Sequence, residues 1–286
     1  MTESTAIRVV PAQQLTEGAG FIVHRPFPVA GIPAFDPFLL IDEMGPVDYA
    51  PGAAVGAPDH PHRGFETVTY IIEGAMQHED SYGHRGVIRS GDVQWMTAGA
   101  GVIHSEMPTE EIMRSGGRMH GFQIWVNLPR DKKMMQPRYQ EYPASALPVV
   151  NEPGRWARII AGEFEGRRSP IETLVPTTML HLRIERGSNA AIAVAPESNA
   201  VVHAIGGSGN VEGTHLEEHQ AALISHSPAA LHIAADDQGF EVLVLAGIPL
   251  HEPIARYGPF VMNNADEIEK AFDDLRAGRF GEIART

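Results

Sequence analysis

The chain has 286 residues, with 22 Lys+Arg against 36 Asp+Glu, 14 His and no Cys. That length suits one large or two medium domains with a real core, and 43% hydrophobic against 20% charged residues excludes a disordered chain. The net charge of −14 argues against binding a phosphate backbone, so no direct nucleic-acid contact is expected.

Zero cysteine excludes disulfides, thiolate metal sites and a cysteine nucleophile together. No apolar run nears the ~20 residues of a membrane helix; the longest, 240–250, contains Glu241. The first residues hold no basic segment followed by an apolar one, so neither a secretory signal nor a membrane partner is expected. A cytoplasmic location is the default expectation. Histidine stands out: so many imidazoles in an acidic, Cys-free chain point to metal chemistry with nitrogen and oxygen ligands.

Helical periodicity is nearly absent before residue 260. Short β-rich runs fall at 67–72, 87–88, 93–96, 121–126, 159–160, 179–184, 201–205, 221–224, 231–234 and 241–245, separated by Gly, Pro, Asp and Asn. Many short strands at such spacing predict a sandwich or barrel. The 22 prolines agree, because proline is tolerated at turns and strand ends but not inside helices. Residues 131–153 hold four prolines, mixed charge and little alternation, which predicts a connection between two domains. The expected division is a domain at 1–135, a connecting segment at 136–153 and a domain at 154–286.

The two halves read as distant copies. Residues 68–74 and 201–207 are each a strand running into a glycine turn, and 91–96 and 219–224 each lead into a further strand. Residues 264–278 instead predict an amphipathic helix, with an Asn cap, acids in the first turn and a glycine stop. Its Ile268, Ala271, Phe272 and Leu275 share one face, which predicts packing on the β-body.

Two spaced pairs carry the chemistry. His60 and His62 begin a strand, with Glu66 at the same parity, so all three are expected on one face. After the turn at 97–101, His104 and Glu106 repeat the pattern. Three imidazoles and a carboxylate suit a borderline divalent metal such as Fe(II), Mn, Ni, Cu or Zn; Ca and Mg prefer oxygen. The residues alone leave the fourth ligand open between Glu66 and Glu106. His78, His84 and His120 are expected to be structural or surface residues, with His120 able to lie near the site. Arg63 is expected to be solvated or to meet an anionic substrate. Phe65 and Phe122 are candidates for a pocket wall or for core. Trp95 and Met96 are expected in packing.

The strings HPHRGFETVTYIIEG, GDVQWMTAGAGVIHSEMP and HGFQIWVNLP, with AGIPLHEP and GPFVMN near the end, resemble the pirin family of the cupin superfamily over essentially the whole chain. The usual cupin glycine before the first histidine is shifted, and Thr97 stands where many cupins have proline. Both departures match the pirin variant. The resemblance implies an all-β bicupin: two tandem jelly-roll-like β-barrels with a short C-terminal helix, and a metal in the first barrel only. It implies His60, His62, His104 and Glu106 as ligands, with Glu66 left to orient a histidine. The implied metal is Fe(II), with Mn, Ni, Cu, Zn and Co as alternatives. Pirins are similar to flavonol dioxygenases, which implies an iron-dependent quercetin 2,3-dioxygenase acting on a small aromatic substrate, with Glu106 as its base. The alternative it implies is a non-enzymatic regulator that binds a transcription factor or metabolic enzyme. Aligning Gly207 with Gly74 sets Ala193 and Ala195 at the places of His60 and His62, so no second metal is expected.

Overall fold

The computed structural model describes residues 5–285, and most of them lie in antiparallel strands. The chain divides into two units. One holds Gln14–Arg25, Phe38–Ala144 and the tail from His251; the other holds the segment ending at Gln13, Pro26–Pro37 and Ser145–Leu250.

In the first unit, one sheet runs in the order Arg138–Tyr142, Val93–Thr97, Phe65–Glu73, Gly117–Asn127, Phe38–Tyr49, Phe21–Phe27, Gln13–Glu17. A second sheet runs Ala57–His62, Val102–Pro108, Ala75–Asp80, Arg85–Arg89. Their inner faces meet, since the Thr69 hydroxyl of the larger sheet lies 2.8 Å from Glu106 Oε1 of the smaller. Phe65–Glu73 is buried on both faces over its first seven residues, which is why it reads as a run of Val, Thr, Tyr and Ile rather than a polar–apolar alternation. This is the jelly-roll-like barrel the sequence predicts.

The second unit builds a sheet in the order Ala6–Pro11, Gln220–Ser225, Asn199–Val211, Ala230–Gly247, Thr177–Ile184, Arg155–Ala161, Val149–Glu152. Asn189–Ala193 and Thr214–Glu217 pair alongside it. Alternate residues fill one core, among them Ile159, Leu180, Leu182, Val202, Ile224, Val242 and Val244, all fully buried. The suspected internal repeat has a structural counterpart: Asn199–Val211 lies between Gln220–Ser225 and Ala230–Gly247, as Phe65–Glu73 lies between Val93–Thr97 and Gly117–Asn127.

Every predicted strand is present, but three boundaries move. The runs at 231–234 and 241–245 belong to one 18-residue strand, Ala230–Gly247. The polar stretch between them bulges, the ladder passing from Ala235 opposite Gly209 to Phe240 opposite Gly207, and Asp236 accepts hydrogen bonds from Ser208 and Asn210 across the sheet. The segment at 131–153 contains two strands, Arg138–Tyr142 and Val149–Glu152. Its four prolines, 137, 143, 148 and 153, flank these strands at their ends, where no ladder N–H is needed. The chain ends are also exchanged relative to a simple halving. Ala6–Pro11 pairs with Gln220–Ser225 and sets Ile7 and Val9 on the second unit's core. The tail joins the first unit.

That tail carries the predicted helix, Ala265–Arg276. Asn264 caps it by accepting the Glu267 N–H at 2.9 Å, and Gly278 adopts φ +71 just beyond its end. Ile268 and Ala271 pack with Phe260, Met262 and Phe280. Among the described residues no helix is long and apolar enough to cross a membrane.

Candidate metal centre

Antiparallel pairing of Ala57–His62 with Val102–Pro108 sets His104 directly opposite His60, and Val102 opposite His62. A residue two places along keeps the same face. The three imidazoles therefore converge, with ring centroids 4.2 Å apart for His60–His104, 4.7 Å for His60–His62 and 5.0 Å for His62–His104. One ring nitrogen from each lies within 4.8 Å of the others.

The outer nitrogens are engaged. His60 Nδ1 donates to the Pro58 carbonyl at 2.7 Å and His62 Nδ1 to the Pro259 carbonyl at 3.3 Å, which leaves each Nε2 with a bare lone pair. Among the described residues neither ring nitrogen of the fully buried His104 has a partner. Burial, and then neighbouring His60, push His62 and His104 well below the usual imidazole range, so both are neutral at pH 7. Buried, neutral, unpartnered nitrogens are costly unless something accepts their lone pairs, and a divalent cation does so. The donor set fits a borderline divalent metal ion.

Glu106 lines the same pocket, beside the cluster. The Thr69 hydroxyl lies 2.8 Å from its Oε1, and Gln123 Nε2 donates to Oε2 at 3.2 Å. Burial raises its pKa, opposed by His60, Thr69 and Gln123. Its strand has a register irregularity between His104 and Glu106, and the carboxylate falls outside the group whose ligand atoms are all within 4.8 Å of one another.

Glu66 does not share the histidines' face. The strand ends at His62, and Gly64 turns the chain at φ +90, where a Cβ would meet the Val261 carbonyl oxygen at 2.0 Å. Parity restarts at Phe65, whose ring lies 5.1 Å from His62. Phe65, Thr67 and Thr69 then face the site, and Glu66 points away, taking a 2.6 Å hydrogen bond from the Thr97 hydroxyl. Burial lifts Glu66 to about 7. The expectation that Glu66 orients a ligand is corrected accordingly.

Arg63 is neither solvated nor at the pocket. It is 3% exposed, with Nε on the Ala100 carbonyl at 2.7 Å, Nη1 on Asp274 at 2.8 Å and its guanidinium over Phe280. His78 is buried near the cluster, 5.5 Å from the His104 ring, and burial lowers it to about 4. His120 instead bonds Glu43 at 2.9 Å. Phe122 lies on the face opposite Gln123 and Trp125 and belongs to core.

The missed wall residue is Trp125. Its ring lies 5.1 Å from His62, stacks at 4.2 Å on Phe65 and carries the Arg256 guanidinium at 4.6 Å. Its parity with Gln123 in the predicted strand was the available signal. Arg256 and Pro259 reach the site from the tail, a connection that local spacing does not reveal. Together these residues, with Phe21, Leu40, Met44 and Met76, enclose a cavity of about 530 Å³, within the ~300–1,000 Å³ usual for small-molecule sites.

Comparison with known proteins agrees with this architecture. The Pirin family model matches residues 20–126, and the Pirin C-terminal cupin domain matches 179–281. The chain belongs to the pirin family. A pirin-like protein of Arabidopsis thaliana is 40% identical over 282 residues, covering 94% of this chain and 88% of its own. The crystal structure of quercetin 2,3-dioxygenase from Acinetobacter baumannii is 36% identical with TM-score 0.91, covering 97% of this pirin and 98% of that chain. A bacterial pirin from Escherichia coli, solved with nickel(II), shares the fold at 20% identity and TM-score 0.66, covering 85% of this chain and 99% of that one.

In this pirin's second unit, two histidines pair with carboxylates. His181 bonds Glu241 at 2.7 Å, and His215 faces Asp236 at 3.4 Å. Ala193 and Ala195, at the places of His60 and His62, are exposed.

Proposed function

We propose that this pirin is an iron(II)-dependent dioxygenase that opens the central ring of a flavonol such as quercetin. The observation that carries the reading is the cluster of His60, His62 and His104, the latter two buried and held neutral, at an aromatic-lined cavity beside the Glu106 carboxylate. Iron held by the three histidines and Glu106 would supply a Lewis-acidic, redox-active centre for a flavonol oxygen and O2.

The protein's own groups do the rest. Glu106 accepts the proton of the flavonol 3-hydroxyl, and burial makes its carboxylate more basic than one in water. Thr69 and Gln123 fix the carboxylate's orientation. Trp125, backed by the buried Phe65, lines the cavity for the aromatic rings, and Leu40, Met44 and Met76 keep water from the reacting atoms.

The test is anaerobic iron loading, then quercetin and oxygen, following loss of flavonol absorbance and release of carbon monoxide. Turnover that requires iron and vanishes in His62→Ala supports the reading. An iron-loaded protein with an intact site and no turnover refutes it and favours iron-dependent binding of a protein partner.

A further inference from the structure

Six carboxylates and guanidiniums line the cavity, and four of them are spoken for. Arg25 donates from Nε and Nη2 to Asp42, both at 2.6 Å, and its Nη2 lies 2.7 Å from Glu17. Asp59 pairs with Arg285. Glu106 is held by neutral donors and faces the imidazoles, where a divalent cation would balance its charge.

Arg256 is left over. Its Nη1 donates to the Leu39 carbonyl at 3.2 Å, and no carboxylate among the described residues lies within ion-pair distance of it. The carboxylates that act on it through space, Asp42 and Glu17, are both bonded to Arg25, so the unused N–H donors of this half-buried guanidinium are left for another anion. Its position is also fixed, because the planar group rests 4.6 Å from the centre of the Trp125 indole. Phe65 stacks on that indole at 4.2 Å, and His62 meets its edge at 5.1 Å between rings. A planar molecule in the cavity that His60, His62, Trp125 and Arg256 all line therefore spans from the imidazole cluster to the guanidinium.

We propose, resting on the reading of this pocket as a metal-centred binding site, that Arg256 is its specificity-determining residue. It selects planar aromatics that carry a second, ionised oxygen group at the end remote from the imidazoles. Arginine suits this task because its planar fork pairs with a carboxylate or phenolate while stacking on indole. A lysine would keep the charge and lose the fork and much of the stacking.

The test measures binding and needs no turnover. Protein loaded with Ni(II) under argon is titrated with 6-hydroxy-2-naphthoate and with its methyl ester, by calorimetry and tryptophan fluorescence. The wild type should bind the acid roughly 10- to 100-fold more tightly than the ester, the range expected for a hydrogen bond to a charged group. Arg256→Gln should abolish that preference and leave ester affinity unchanged, and Arg256→Lys should keep part of it. Unchanged near-UV circular dichroism checks that the Gln variant is folded. Equal affinity for acid and ester in the wild type, no binding of either, or equal loss of both in Arg256→Gln overturns the proposal. Failure of quercetin turnover alone leaves these outcomes intact, so the two readings fail separately.

Discussion

Replacing Asp274 by Ala should cost the first unit about 3–5 kcal/mol, the usual price of removing one partner from a buried ion pair. The Arg63 and Asp274 side chains are only 4% and 5% exposed, and 2.8 Å separates their charged atoms. With the carboxylate gone, Arg63 keeps one carbonyl acceptor, Ala100, and the ring of Phe280, neither of which neutralises a buried cation. Asp274 also receives Lys270 and Arg279, but both are largely exposed and stay solvated without it, so they add little to the loss. At ~2–4 °C per kcal/mol for a domain of this size, the melting transition should fall by roughly 6–20 °C in calorimetry. Removing both charges, as Arg63→Met with Asp274→Leu, should recover much of this, because no uncompensated charge then remains. A double variant as unstable as the sum of its singles, within ~0.5 kcal/mol, would show that the two residues are not coupled and refute the reasoning.

Other expectations follow from the site and from the second unit. His62→Ala should lose bound metal by elemental analysis yet stay folded, its melting point falling only by the lost linkage to the ion, because the apolar cores do not depend on it. Glu106→Gln should weaken metal binding and abolish turnover, whereas Glu66→Gln, on the opposite face, should leave metal content unchanged; the reverse result would reassign the carboxylate. Against the upward push of burial, His181 and then Arg183 hold Glu241 down to about 2, from an ordinary 4.5. Its contribution is thus complete above pH 4.5 and lost as pH falls toward 2, and denaturant midpoints should drop over that window. Burial keeps His181 neutral below its usual range, so the unfolded chain binds protons first below pH 6.5 and acid destabilises in the same direction. Glu241→Gln should cost roughly 1–2 kcal/mol at pH 7, allowing for solvent screening of a partly exposed group, and flatten the acid limb.

The three histidines were legible because they sit in one antiparallel ladder, where spacing by two fixes a face and a register of direct opposition brings His104 to His60. Glu66 was misread by the same rule. Parity survives only while the strand does, and Gly64 ends it between His62 and Phe65. The helix was legible from cap, face and stop, but its Asp274 looked like an ordinary polar residue until Arg63 appeared beneath it. Arg256 and Pro259 could not be read at all, since nothing local ties residues after 250 to a strand near 60. Polar stretches such as the one around Asp236 read as breaks because their partners, Ser208 and Asn210, lie across the sheet.

The return of the tail to the first unit bears on the order in which a ribosome can finish the site. Synthesis delivers the three imidazoles early and the Pro259 carbonyl, Arg256 and the Asp274 anchor later, after the whole of Ser145–Leu250. Domains tend to fold as they emerge, yet here the first unit has to wait for residues that follow the whole of the second. A chain halted near residue 250 would carry His60, His62 and His104 with no acceptor for His62 Nδ1 and no counter-ion for Arg63. The surroundings of the imidazole cluster are thereby tied to synthesis of the segment after residue 250.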